Sequence, residues 1–312
     1  MKSIMYHYVR PDEPSLPHFR HLHVEDFARQ LEYFGNEFGF VSKDDFLNCM
    51  ESNEPVDGVV LTFDDGFKDH FRYVLPELKK LGLWGIFYIS TSPFTTRKLI
   101  DVHRIHMLIG KFSGKTIADA LNDIIKEEML SHSHVEEFQS ETYTRQNNDS
   151  STNHVKRCLN YYIDYKYRES VIDQLMSIFY PDEPDMIDDF YMTQPEIRIM
   201  NNQGMIIGSH TVNHPVMSKI SLESQEREIR NSFDTLESIT EGLPTRTFCY
   251  PYGGFHSFTN ETEKLLEENG CHFSFNVEPR DIDQNDLLNR RQALPRYDCN
   301  QFPHGSFRKT VS

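Results

Sequence analysis

Val59-Val60-Leu61-Thr62-Phe63-Asp64-Asp65-Gly66 opens with five β-branched or apolar residues and closes on two carboxylates and a glycine. A continuous apolar run of this length reads as a strand buried on both faces, and the turn residues mark its end. Downstream, Phe71, Val74, Leu75 and Leu78 share one helical face, and Gly82 closes that helix. Residues 84–90 form the next apolar run. Strand, helix and strand in this order predict an α/β domain with a parallel sheet, whose chemistry gathers at the carboxyl ends of the strands.

The same rhythm extends outward from this unit. Upstream, residues 2–8 read as a strand ending near His7, and Val24, Phe27, Ala28, Leu31 and Phe34 recur at helical spacing. After Ser90 the rhythm breaks. Residues 91–192 carry helical and polar stretches with no strand series, so a mostly helical insertion into a single 1–312 domain is expected. Its stretch 131–154, rich in Ser, Thr, Asn, Gln and Glu, is predicted to be a mobile loop. Order resumes at Thr193-Gln194-Pro195-Glu196, a capping box with Pro in the first turn. Strands are predicted at 205–209, 247–250, 271–277 and 292–296, with helices after Ser221 and over 260–268.

Composition limits what such a domain does. Acidic residues outnumber basic ones 48 to 32, a net charge of −16, which repels phosphate backbones and argues against nucleic acid as a partner. No apolar run approaches the ~20 residues of a membrane span. The five cysteines are scattered without a CxxC pair, which suits free thiols in a reducing compartment. With no apolar leader in residues 1–20, the expected location is cytoplasmic.

Three motifs carry chemistry. Neighbouring side chains of a strand point to opposite faces, but a glycine turn at its end lets Asp64 and Asp65 face one cavity. Paired carboxylates repel, so a cation or proton belongs between them. Asp-Asp-Gly is also a common turn sequence. His210-Thr211-Val212-Asn213-His214-Pro215 spaces two imidazoles four apart in what Pro215 makes a tight turn rather than a long helix. In a chain with 15 histidines that pair has an ordinary structural reading too. Two His and one Asp nevertheless compose a metal triad with open positions. Phe248-Cys249-Tyr250-Pro251-Tyr252-Gly253 builds a rigid wall in which the Tyr252 N–H is a candidate oxyanion donor.

Thr62-Phe63-Asp64-Asp65-Gly66, His210-Thr211-Val212-Asn213-His214 and Tyr250-Pro251-Tyr252-Gly253, in this order, resemble the NodB-like polysaccharide deacetylases, carbohydrate esterase family four. Met5-Tyr6-His7 is similar to the permuted branch typified by poly-N-acetylglucosamine deacetylases. The resemblance spans about 2–90 and 193–298 and leaves the insertion unexplained. It implies an irregular, incomplete (β/α) barrel and hydrolysis of an N-acetyl group on an amino sugar. It also implies a divalent metal held by Asp65, His210 and His214, most simply Zn²⁺, with Co²⁺, Fe²⁺ or Ni²⁺ compatible. Asp64 would be the general base, the Tyr252 N–H an oxyanion donor and His7 the general acid, with His304 as alternative acid. Many relatives place an Arg just before the Pro of the PxYG turn, where this chain has Tyr250; Arg296 is the candidate to supply that charge from another strand. The implied partner is an acetylated amino sugar, free in a glycan or carried on a lipid or nucleotide.

Two further readings compete. A degenerate deacetylase fold would bind glycans without turnover, and paired aspartates alone also suit Mg²⁺-dependent phosphoryl transfer. The latter lacks a Gly-rich phosphate loop and leaves the two imidazoles without a role. Within the insertion, Asp101-Val102-His103-Arg104-Ile105-His106 is either a substrate contact or an amphipathic helix with solvated histidines.

Overall fold

The computed structural model describes residues 1–130 and 148–310, which form two compact units. The first comprises 1–11, 21–97 and 188–307; the second comprises 12–20, 98–187 and 308–312. The expected loop at 131–154 lies mostly outside the described residues.

Seven parallel strands make the sheet of the first unit, curled as a half-barrel. In chain order the strands are β1 (Lys2–Tyr6), the short pair β2 (Val9–Arg10) and β3 (Leu22–His23) in their own ladder, β4 (Val59–Phe63), β5 (Ile86–Ile89), β6 (Ile206–Ser209), β7 (Thr247–Cys249), β8 (Phe273–Phe275) and β9 (Tyr297–Asp298). The order across the sheet is β8-β7-β6-β5-β4-β1-β9. Register follows the apolar runs: Lys2 pairs with Val59 and Tyr6 with Phe63, Phe87 with Ile207, and Cys249 with Phe275.

Both faces of the sheet are buried, which is why the strands are almost wholly apolar. Ile4, Tyr6, Leu61, Phe63, Phe87, Ile89, Ile207 and Phe248 share one core with helices Val24–Glu37 and Leu222–Thr240. Those helices contribute Phe27, Leu31, Phe34, Ile229, Phe233 and Leu236. Val60, Ile86, Tyr88, Ile206, Cys249, Phe273 and Phe275 point the other way, into a core closed by Phe46, Met50 and Leu287. The period-two alternation thus places Thr62 and Asp64 on the face opposite Phe63, and His7 on the same side as Asp64.

The segment expected as a strand at 292–296 behaves differently. Arg291–Ala293 is a 3₁₀ turn, Leu294 bridges in parallel to Phe275 of β8, and only Tyr297 and Asp298 form β9 against Ile4 and Met5 of β1. Pro295 has no N–H to extend the first pairing, so the chain leaves β8 and joins β1. One short segment therefore touches both edges of the curl, with Arg296 at its centre.

The capping box appears as read, with the Thr193 N–H donating to Glu196 Oε2 at 2.7 Å ahead of helix Gln194–Asn202. The second unit is helical, built on Asp101–Phe112, Gly114–Ile124, Ser150–Arg157 and Tyr165–Phe179 around Ile105, Leu108, Ile117, Leu121, Val155, Ile172 and Leu175. Segments 12–20 and 308–312, far apart in sequence from the helices, belong to it as well. Among the described residues no helix is long and apolar enough to cross a membrane.

Gly208 tests the tightness of the sheet. A Cβ there would meet Tyr88 Cε1 at 2.5 Å and Thr247 Cγ2 at 2.9 Å, two residues whose hydroxyls are hydrogen-bonded at 2.8 Å. Gly208→Ala is expected to destabilise the protein by about 1–3 kcal/mol, read as a lowered midpoint in denaturant titration. An unchanged midpoint would refute this packing.

Candidate active site

Each site residue sits where a parallel strand ends, and the backbone there is bent into conformations that non-glycine residues avoid. Asp65 follows β4 at φ +79°, and Thr211 and His214 after β6 stand at +68° and +56°. Tyr252 after β7 stands at +67°. Side chains in the left-handed region cost free energy and persist only where the surroundings hold them. The surroundings do so. Glu228 of helix Leu222–Thr240 accepts from the Val212 and Asn213 N–H groups at 2.8 Å each, and Thr211 Oγ1 accepts from the His214 N–H at 2.8 Å. Thr91 and Ser92 donate their N–H groups to the Thr211 and Val212 carbonyls. Gly253 is forced twice, by φ +59° and by Val277, which a Cβ would strike.

The Asp65 turn brings both carboxylates to His210. Asp65, His210 and His214 present ligand atoms within 4.8 Å of one another, and so do Asp64, His210 and Cys249. In the first group the Nε2 atoms of His210 and His214 each lie 3.4 Å from the same Asp65 Oδ1. Ligands at usual Zn–N and Zn–O lengths in a tetrahedron stand about 3.4 Å apart, so these three fit a single ion. The His210 Nδ1–H donates to the Cys249 carbonyl at 2.7 Å, so that in the neutral ring Nε2, facing Asp65, is the atom available as a ligand. Burial disfavours a charged His210, yet Cys249, Asp65 and Asp64 together raise its pKa well above the ordinary imidazole value. The cluster thus favours positive charge between its carboxylates.

Asp64 is fixed from the barrel closure. Arg296, with no exposed surface, reaches Asp64 Oδ1 at 2.8 Å and Oδ2 at 2.9 Å in a two-pronged pair. Its remaining donors go to Thr62 Oγ1, the Asn276 carbonyl and Cys249 Sγ. Burial pushes the Asp64 carboxyl up, but the Arg296 charge and hydrogen bonds outweigh it and hold the pKa at about 2. Arg296 thus stands against Asp64, from the segment beyond β8.

His7 is half-buried beyond β1, where the Asp64 N–H donates to the Tyr6 carbonyl at 2.9 Å. A positive charge on His7 would lower the pKa of both Asp64 and Asp298. The Tyr252 ring centroid is 4.9 Å from that of His214, which puts the Pro-Tyr-Gly turn against the cluster. His304 stands exposed in the tail. In the helical unit the 101–106 motif is consumed internally: Asp101 binds Arg168 at 2.5 Å, and Arg104 binds Glu183 at 2.7 and 2.8 Å. His103 is buried there rather than solvated, because its helix face turns into the core. Cys249 lies inside the 248–253 run with no ligand role legible there, and Glu228 and His70 belong to no motif, so a helix-borne carboxylate and an isolated imidazole gain their place only from the fold.

An open parallel α/β barrel with an Asp–His–His cluster at the carboxyl ends of its strands defines the class of protein. Residues 183–274, which include the His210–His214 turn and the Pro-Tyr-Gly wall, match the family model described as polysaccharide deacetylase. No curated protein matches the chain. In fold it is similar to the Streptococcus pyogenes deacetylase PplD in complex with acetate, with a TM-score of 0.58, 16% identity, and 98% of this chain and 95% of that one covered. It is also similar to IcaB from Ammonifex degensii, at 0.51, 18% identity, and 88% and 82% covered. A de-N-acetylase from Aggregatibacter actinomycetemcomitans gives 0.52 at 14% identity, with 95% and 93% covered. The fold is that of the NodB-like deacetylases, and residues 183–274 carry the polysaccharide deacetylase match.

Two outcomes test this electrostatic picture. Arg296→Met strands a buried carboxylate and is expected to cost about 3–5 kcal/mol of stability. In an Asp64→Asn background the same change should cost distinctly less, and equal costs in both backgrounds would remove the pair as the cause. The second concerns His70, whose pKa burial lowers to about 4 despite the His7 carbonyl and the Asp65 and Asp64 charges. Its folded pKa lies below the unfolded value, so its contribution is present above about pH 6.5 and is lost as pH falls toward 4. A shift of that size is worth about 3 kcal/mol. Denaturant titrations at pH 7 and pH 4.5 should show a smaller drop for His70→Phe than for the unmodified protein.

Proposed function

We propose that the protein is a metal-dependent hydrolase that removes the N-acetyl group from an amino sugar in a glycan or glycan precursor. The observation that carries this reading is the 3.4 Å spacing of both imidazole Nε2 atoms from one Asp65 oxygen. In it Asp65, His210 and His214 hold a divalent ion, Zn²⁺ most simply. When bound, the ion supplies Lewis acidity to the acyl carbonyl and to the attacking water.

The chain's own residues do the rest. Asp64, kept ionised by Arg296, orients the attacking water and accepts its proton. The Tyr252 N–H donates to the oxygen that gains charge as the amide carbon becomes tetrahedral. His7 protonates the departing sugar nitrogen, so that an amine rather than an amide anion leaves. Acetate and the free amino sugar are the products. The five cysteines, all free and buried, support a cytoplasmic site of action in this reading.

Acetate release from an N-acetylglucosamine oligosaccharide tests the proposal. We expect activity that a chelator abolishes and Zn²⁺ or Co²⁺ restores, and a loss of about 10²–10⁴-fold in Asp64→Asn. Parallel assays on lipid-linked and nucleotide-linked N-acetyl sugars decide the carrier. Tight sugar binding without acetate release by the metal-loaded protein would instead favour a binding module.

A further inference from the structure

At the end of β1 three successive carbonyls are held by three different donors. The Tyr6 carbonyl accepts from the Asp64 N–H and the Tyr8 carbonyl from the Leu22 N–H, both at 2.9 Å. Between them, the His7 carbonyl lies 2.8 Å from His70 Nε2. A carbonyl only accepts, so Nε2 carries the proton and His70 has a defined tautomer. The ring has no exposed surface and packs at 5.6–5.8 Å from the rings of Phe63, Phe67 and Phe87. Its Nδ1 has no hydrogen-bond partner among the described residues. His70 also opens a five-residue π-helical turn, His70–Val74, a local irregularity often kept at functional sites.

A buried imidazole with one nitrogen unsatisfied is a costly way to fill an apolar box, since phenylalanine surrounds it and would fit. The one polar contact it makes is to the backbone of His7, where the ladder to β4 has ended. We propose that His70 is a positioning residue for His7: its Nε2–H clamps the His7 carbonyl and so fixes the backbone from which that imidazole reaches the leaving group. This rests on the reading of His7 as the general acid. His70 is outside the Asp65–His210–His214 cluster and would act only through His7.

The test uses two substrates with the metal-loaded protein. The amide of an N-acetyl sugar needs its leaving nitrogen protonated, whereas 4-nitrophenyl acetate expels a stable phenolate without help. His70→Phe keeps the aromatic box and removes the donor. We expect it to lower kcat on the amide by about tenfold or more, because misplacing a catalytic group is expensive, while ester hydrolysis, metal content and circular dichroism stay close to the unmodified values. His70→Asn, which keeps an N–H donor, should recover part of the loss, and His70→Phe should add little in a His7→Ala background. Equal losses on both substrates, or losses that multiply in the double variant, would overturn the positioning role. The acid assignment is judged separately: His7→Ala with normal amide turnover removes that assignment, and the clamp's purpose with it. If His70→Phe does not fold, the amide-to-ester ratio of His70→Asn against His7→Ala decides the matter, and an unchanged ratio counts against the proposal.

Discussion

The ion pair of Arg296 and Asp64 is the constraint around which the site is organised. Both groups are buried, and a buried charge without a partner is among the most costly features a fold can carry. Here every guanidinium nitrogen has a partner: two contacts go to the carboxylate and the others to Thr62, Asn276 and Cys249. Those partners come from β4, the end of β7 and the residue after β8. The pair is satisfied only when the barrel has closed far enough for the 294–298 segment to pass from β8 to β1. Fold closure and the ionisation of the candidate base are therefore one event. This is a different arrangement from an arginine beside the Pro-Tyr-Gly turn itself, where the charge would arrive on the same strand as the wall it stabilises.

Strain is distributed in the same way. Asp65, Thr211, His214 and Tyr252 all adopt left-handed backbone, and each lies within five residues of a strand's end. A regular continuation would send alternate side chains to opposite faces and scatter these groups. The inverted φ at Asp65 turns its carboxylate toward the histidines while Asp64 keeps the strand's own inward direction. The hydrogen bonds from Glu228, Thr91 and Ser92 offset the cost at the His210–His214 turn. They come from a helix and from the neighbouring strand's exit loop, so the sheet's register is what keeps both imidazoles on one oxygen.

Much of this is legible in the sequence. The apolar run at 59–63, the Thr193 box and the Ser221 cap all depend on local patterning, and local patterning is what a single sequence displays. The motif residues Asp64, Asp65, His210 and His214 converge because strand ends of a parallel sheet share one edge. What escaped is non-local. The break at Pro295 changes strand partner rather than ending a strand, and nothing in 292–296 says which edges it will join. Helix Lys43–Ser52 carries no decisive pattern, although Phe46, Cys49 and Met50 line its buried face. The addition of 12–20 and 308–312 to the helical unit depends on contacts between segments that share no pattern. Glu228 and His70 are invisible for a related reason, since each acts on a backbone atom of another segment.

The low pKa of Asp64 bears on the chemistry. A general base is most effective when its own pKa lies near the working pH, and a carboxyl held at about 2 is far from that. Alone it would draw a proton from ordinary water very poorly. Its permanent charge would be better suited to orienting a water whose acidity is raised by another group beside it. The neighbouring cluster has the composition for that: His210 stands between Asp64 on one side and Asp65 with His214 on the other, its Nδ1 tied to the Cys249 carbonyl and its Nε2 turned inward. Arg296 and the two imidazoles thus complement each other. The guanidinium keeps Asp64 ionised, and in the proposed reading the histidine pair with Asp65 would hold a cation able to make water acidic enough for so weak a base to suffice. In that reading, removing either half would leave the other chemically idle, because an ionised carboxylate without an acidified nucleophile and an acidified nucleophile without an oriented acceptor would both stop at the first proton transfer.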